Sequence, residues 1–149
     1  MQSEGGGRLA KGGGIAYLAA MAIRPILIHP DPRLRKPAAR VEAVDDEIWA
    51  LAGDMLATMY EAPGIGLAAT QLGVMWQVFV MDCAGKAEPA QPTVLVNPEI
   101  LWRSEETETN EEGCLSIPDV FDEVTRAERV AVRWLGLDGA VRELSLIHI

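Results

Sequence analysis

The sequence predicts an α+β domain, one N-terminal helix followed by antiparallel strands, and three observations carry that reading. VDDEIWALAGDMLATMYEAPG places Ile48, Leu51, Ala52, Met55, Leu56 and Met59 at the i, i+3, i+4, i+7 spacing of an amphipathic helix. Val74 to Asp82, VMWQVFVMD, is apolar on both faces and rich in β-formers. ERVAVRWLGLDGAVREL alternates Val130, Val132 and Trp134 with Arg129, Ala131 and Arg133 and turns at Asp138-Gly139.

In chain order, Pro25, Pro30, Pro32 and Pro37 keep Ile26 to Ala39 extended or looped, because proline removes a donor and restricts the residue before it. Asp45 is placed to cap the helix and Pro63-Gly64 to stop it. Val74 to Asp82 is expected to be an interior strand, Lys86 to Pro92 a polar loop, and Thr93 to Asn97 a second strand closed by Pro98. Five glutamates between Glu105 and Glu112 mark a solvated strand face. The hairpin of Glu128 to Leu144 follows. A second helix is needed to close such a sheet, and the sequence supplies none after the hairpin.

With 149 residues there is material for one core, so one domain is expected. A formal net charge of -9 argues against nucleic acid as a partner, since neutralising phosphates takes clustered Lys and Arg. No run is long enough to cross a membrane. Two cysteines, Cys83 and Cys114, are too few for the disulfide framework of a small secreted domain, so free thiols in a reducing compartment, the cytoplasm, are expected. Residues 1–20 are glycine-rich and nearly free of acid. Arg8, Lys11 and the apolar run Ile15 to Ile23 faintly copy a signal peptide, but the run is short. The preferred reading is an extension without fixed structure or a start placed too early, with the domain opening at Met21.

Two segments carry chemistry. In GIGLAATQ, Gly64 to Gln71, Gly64 and Gly66 admit a close approach of backbone, and Gln71 presents an amide donor. The spacing is not GxGxxG and no strand precedes it, which disfavours a dinucleotide site. Alone, the segment reads equally as a tight turn after a helix. In EGCLS, Glu112 to Ser116, Cys114 is by itself a buried filler, a nucleophile or a metal ligand. A nucleophile needs a histidine base, and the sequence holds only His29 and His148.

Taken together, in order, GIGLAATQ and EGCLS resemble the first two signature motifs of the peptide deformylase family. The resemblance runs from about Met21 through Leu144 and takes in HPDPRLRK, VLVNPEI and TRAERVAVR. It implies the peptide-deformylase-like α+β fold and a metal-dependent hydrolase that removes the formyl group from the N-terminal methionine of nascent polypeptides. It further implies Cys114 as a ligand to a divalent metal, Fe2+ with Zn2+ or Ni2+ as substitutes. Gln71 and the Leu115 N–H become the donors to the developing oxyanion, and Ile65, Gly66 and Gly113 the backbone that holds the peptide in strand-like pairing. Glu112 is expected to fix the loop by pairing with Arg126 or Arg129.

The sequence departs from the family at its third motif. No HExxH occurs in the 149 residues, so the metal-binding helix that closes the family's sheet is expected to be missing and this chain to be inactive as it stands. LSLIHI, Leu144 to Ile149, is what CTG TCT CTT ATA CAC ATC encodes, which resembles a transposase end sequence used in library preparation. Residues 21–143 are therefore read as a partial domain and 144–149 as a non-native tail. The alternatives are a non-catalytic remnant that binds peptide N-termini and a cysteine hydrolase built on Cys114.

Overall fold

A computed structural model of the chain describes residues 21–147. The extension expected over 1–20 lies outside the described residues, as do His148 and Ile149. Helix α1 (Asp46–Glu61) starts where the Asp45 side chain accepts the Ile48 N–H at 3.1 Å, with Asp46 and Glu47 in the first turn against the positive end of the helix dipole. It ends as the Ala62 and Gly64 N–H groups bond the Thr58 and Met59 carbonyls. Of the predicted stripe, Ile48, Leu51, Ala52, Met55 and Met59 are buried, and Leu56 packs against them at the edge.

Seven strands follow: β1 (Gly66–Ala68), β2 (Val78–Met81), β3 (Thr93–Arg103), β4 (Thr107–Cys114), β5 (Ile117–Ala127), β6 (Arg129–Leu135) and β7 (Val141–Ile147). An antiparallel sheet runs in the order β1-β2-β3-β6-β7, and β4 and β5 form a separate two-stranded ribbon inserted between β3 and β6. The pleat sends Val78 and Val80 to the α1 face, where they meet Ile48, Leu51, Met55, Met59, Leu67 and Val96. Met81, Leu95, Val132 and Trp134 form a smaller cluster on the opposite face. Burial of each such side chain stabilises the fold by roughly 1.5–3 kcal/mol, so the α1 face dominates.

The predicted strand at Val74 to Asp82 is shorter in fact. Only Val78–Met81 joins the sheet, while Met75 and Gln77 bond Ala39 in a short parallel bridge. It is interior, as expected, between β1 and β3. Pro98 does not close the next strand: β3 runs on to Arg103. The reason is an irregularity between Val96 and Glu99, where Asn97 takes φ 50° and a proline interrupts no ladder bond. The Asn97 amide bonds both the N–H and the C=O of Val41 at 2.8 Å, which secures the bend. β4 is the solvated glutamate strand. The hairpin β6–β7 turns at Asp138 and Gly139 as predicted, with Gly139 at φ 80°. Leu144 to Ile147 continue β7 opposite Val132 to Arg129.

The proline-rich segment before α1 is extended, and its single 3-10 turn, Pro32–Arg35, is capped by Asp31. It is tied down along its length. The Ala22 N–H and Arg24 Nε donate to Asp54 on α1 at 2.8 and 2.7 Å, and the Arg24 N–H donates to Thr58 Oγ1 at 2.9 Å. Leu27 and His29 then give their N–H groups to the Gln71 and Ser116 carbonyls at 2.7 and 2.8 Å. This strap touches both chemistry-bearing segments.

Candidate active site

The GIGLAATQ segment leaves α1, forms β1 at the sheet edge, and closes in a 3-10 turn, Ala69–Leu72, that Gly73 ends at φ 78°. The turn curls the Gln71 side chain back on its own strand. Its Oε1 accepts the Ala68 N–H at 2.9 Å. Because Ala68 can only donate there, the amide orientation follows, and Nε2 faces outward. It stands 3.1 Å from Ser116 Oγ and 4.0 Å from Cys114 Sγ.

EGCLS forms the end of β4 and the turn into β5. The pairing slips between Gly113, opposite Phe121, and Cys114, opposite Ile117, and the slip releases the chain from the ladder at the cysteine. Cys114 is exposed, a free thiol, as is Cys83. The Leu115 side chain turns inward against the α1-face core. It also fills the space beside Gly64, where an added Cβ would stand 2.6 Å from Leu115 Cδ1. Ser116 is buried and accepts the Gln71 amide.

Glu112 pairs with Arg126 through both oxygens, at 2.6 and 2.7 Å, which settles the expected choice between Arg126 and Arg129. The guanidinium holds the Glu112 carboxyl below its ordinary range, so it is a fixed anion rather than a proton donor near neutrality. Arg129 instead bonds Glu106 and lies 5.9 Å over the Trp102 ring.

The structure thus brings Gln71, Cys114 and Leu115 together and leaves Ile65, Gly66 and Gly113 on their flanks. Ile65 is exposed, and its carbonyl accepts the Asp82 N–H. The glycines have a different local reason than open space. At Gly66 a Cβ would meet the Phe79 ring at 3.0 Å, and at Gly113 the Phe121 ring at 2.7 Å. Sequence reasoning missed Ser116, although its place two residues after Cys114 was in view. It also missed β5, whose exposed IPDVFDEVTRA shows no clean alternation.

The donor set does not fit a metal by itself. A catalytic divalent ion takes about three protein ligands and keeps an open position. Among the described residues no three His, Cys, Asp or Glu side chains converge, and the one histidine there, His29, belongs to the strap. Cys114 offers one sulfur.

The model of the polypeptide deformylase family matches residues 23–147. The peptide deformylase of Phenylobacterium zucineum is 56% identical over 119 residues, covering 80% of this chain and 70% of that protein. That of Methylocella silvestris is 55% identical over 127 residues, covering 83% of this chain and 65% of its own. The fold matches the Met-Ala-Ser-bound class I type b peptide deformylase of Acinetobacter baumannii with a TM-score of 0.79 at 35% identity, over 86% of each chain. A family match over most of the described residues, half the positions shared with curated members, and the same helix and antiparallel sheets place this chain in the polypeptide deformylase family.

Proposed function

We propose that this chain carries the peptide-holding and carbonyl-polarising half of a deformylase site, acting on N-formylmethionyl ends of nascent polypeptides in the cytoplasm. The observation that carries the reading is the convergence of Gln71 Nε2 on Cys114 Sγ from two segments 43 positions apart in sequence. A formyl oxygen seated between them receives the Gln71 Nε2–H and the Leu115 N–H, donors held in place before the substrate arrives. β1 is one of the sheet's two edge strands, and an edge presents unpaired backbone groups to an extended peptide. Gly66 on one side and Gly113 on the other are the rails for that pairing, with Ile65, its carbonyl taken by the Asp82 N–H, bordering the groove through its exposed side chain. The Acinetobacter relative with Met-Ala-Ser bound supports a methionyl peptide as the ligand.

The ion implied is Fe2+, with Zn2+ or Ni2+ as substitutes, and Cys114 is its one ligand among the described residues. With no HExxH in the 149 residues, the chain binds that ion weakly and does not turn substrate over. Two measurements test this. N-formyl-Met-Ala-Ser should bind the chain, and Gln71→Ala should weaken that binding by about fivefold, the worth of one hydrogen bond. Formate release should stay at background with Fe2+ added. Equal binding by the Gln71→Ala chain overturns the site, and sustained formate release overturns the inactivity.

A further inference from the structure

We propose that Ser116 is a positioning residue that locks the donor edge of the Gln71 amide toward Cys114; this rests on the reading of Gln71 as the donor to the substrate carbonyl. A glutamine amide has an acceptor edge and a donor edge, and a half-turn exchanges them. At Gln71 the two edges have different partners. The Ala68 N–H, 2.9 Å from Oε1, requires oxygen on its side. Ser116 Oγ, 3.1 Å from Nε2, takes one of the two amide protons on the other. The second proton is left for the cleft, on the side of Cys114 Sγ at 4.0 Å. With Ala68 alone, the amide would be tethered at one atom. With Ser116 it is held at two, and its free proton has one direction.

Ser116 is itself suited to hold still. It is 4% exposed, and its carbonyl receives the His29 N–H from the strap at 2.8 Å. Its neighbour Leu115 is wedged against Gly64. The hydroxyl is thus fixed from both sides of the chain, and it passes that fixity to an amide arriving from the other segment. Its effect on substrate is through Gln71.

The test reads the Gln71 side-chain amide by NMR in the full chain. In the native sequence its Nε2 protons should exchange with water about fivefold more slowly than those of exposed Gln91, the factor one hydrogen bond supplies. Ser116→Ala should remove that difference while the backbone amides of β2 and β3 keep their protection, and Ser116→Thr should restore it. Ser116→Gly serves in place of the alanine variant should that chain not fold. If Ser116→Ala lowers the melting temperature yet leaves the Gln71 protons protected, Ser116 is structural only and the proposal falls. Adding N-formyl-Met-Ala-Ser separates the two readings. A locked Gln71 amide whose resonance the peptide does not move keeps the positioning role and overturns the deformylase reading of the site. A peptide that shifts Gln71 equally, with equal affinity, in the native and Ser116→Ala chains does the reverse.

Discussion

Gly64 and Gly113 face the same demand, a side chain standing where a Cβ would go, but the two intruders differ in their freedom to leave. Leu115 Cδ1 would lie 2.6 Å from a Cβ at position 64, and Leu115 is packed against the α1-face core. Gly64→Ala should therefore cost about 1–3 kcal/mol, the usual range for overpacking, and nearly nothing in a Leu115→Ala background. Urea midpoints of the double-mutant cycle check this, and additive losses refute the wedge. Phe121, the intruder at Gly113, is 66% exposed and can swing aside, so Gly113→Ala should shift the midpoint far less. The sequence offered these glycines as places of close approach, of backbone at Gly64 and of a ligand at Gly113; which neighbour filled the space required contacts far apart in the chain. A second residue pair sets a pH dependence. Tyr60 donates to Asp82 at 2.6 Å, and its phenol is pushed up to about 12, by burial first and then by that bond. The folded state holds the proton more tightly than the unfolded chain, whose value is 10.0. The stability this gives is complete below pH 10 and is lost as pH rises toward 12. Tyr60→Phe should flatten unfolding midpoints across that window; an unchanged slope contradicts the assignment.

The strap before α1 is the element whose role its own residues least reveal. Four prolines identify it as extended, but its anchors, Asp54, Thr58, Gln71 and Ser116, lie on three other elements. Asp54 is buried on α1 and accepts the Ala22 N–H and the Arg24 guanidinium, with an Arg24 Nη2 contact of 2.5 Å. Asp54→Ala leaves those donors without their acceptor, at a cost of about 1–3 kcal/mol. The Leu27 and His29 amides should then exchange faster than those of β2, because the strap opens before the sheet does. Uniform acceleration across the chain would show that Asp54 supports the fold and not the strap. Helix α1 and the β6–β7 hairpin were legible because each is specified locally, by a 3.6-residue stripe with a cap and by alternation with an Asp-Gly turn. β3 was misjudged at Pro98, since the bulge that tolerates proline depends on Asn97 reaching Val41, 56 positions away. β5 escaped notice because exposed residues on both faces of a two-stranded ribbon write no period into the sequence.

At the scale of the molecule two opposed forces act on the surface. The net charge of -9 keeps copies apart. Against it, large apolar side chains are exposed on several elements: Ile65, Trp102, Phe121 and Val141 at 64%, 49%, 66% and 67%. Trp102 lies in the outer half of β3, where residues on both faces are open, and Val141 begins β7, an edge strand with seven residues of backbone beside it. Edge strands of this kind pair with other chains unless charge prevents it. Charge repulsion acts over about 30 Å at 0.01 M salt and about 8 Å at 0.15 M, whereas apolar contact is not screened. The chain should therefore sediment near its monomer mass of 16.1 kDa at low salt and associate as salt rises. Val141→Lys and Phe121→Lys should each reduce the association at high salt, by blunting the edge and the ribbon respectively. Charge governs the balance if those variants and the salt series agree. A monomer at every ionic strength, or association that weakens with salt, means instead that the exposed apolar groups are too dispersed to form a contact.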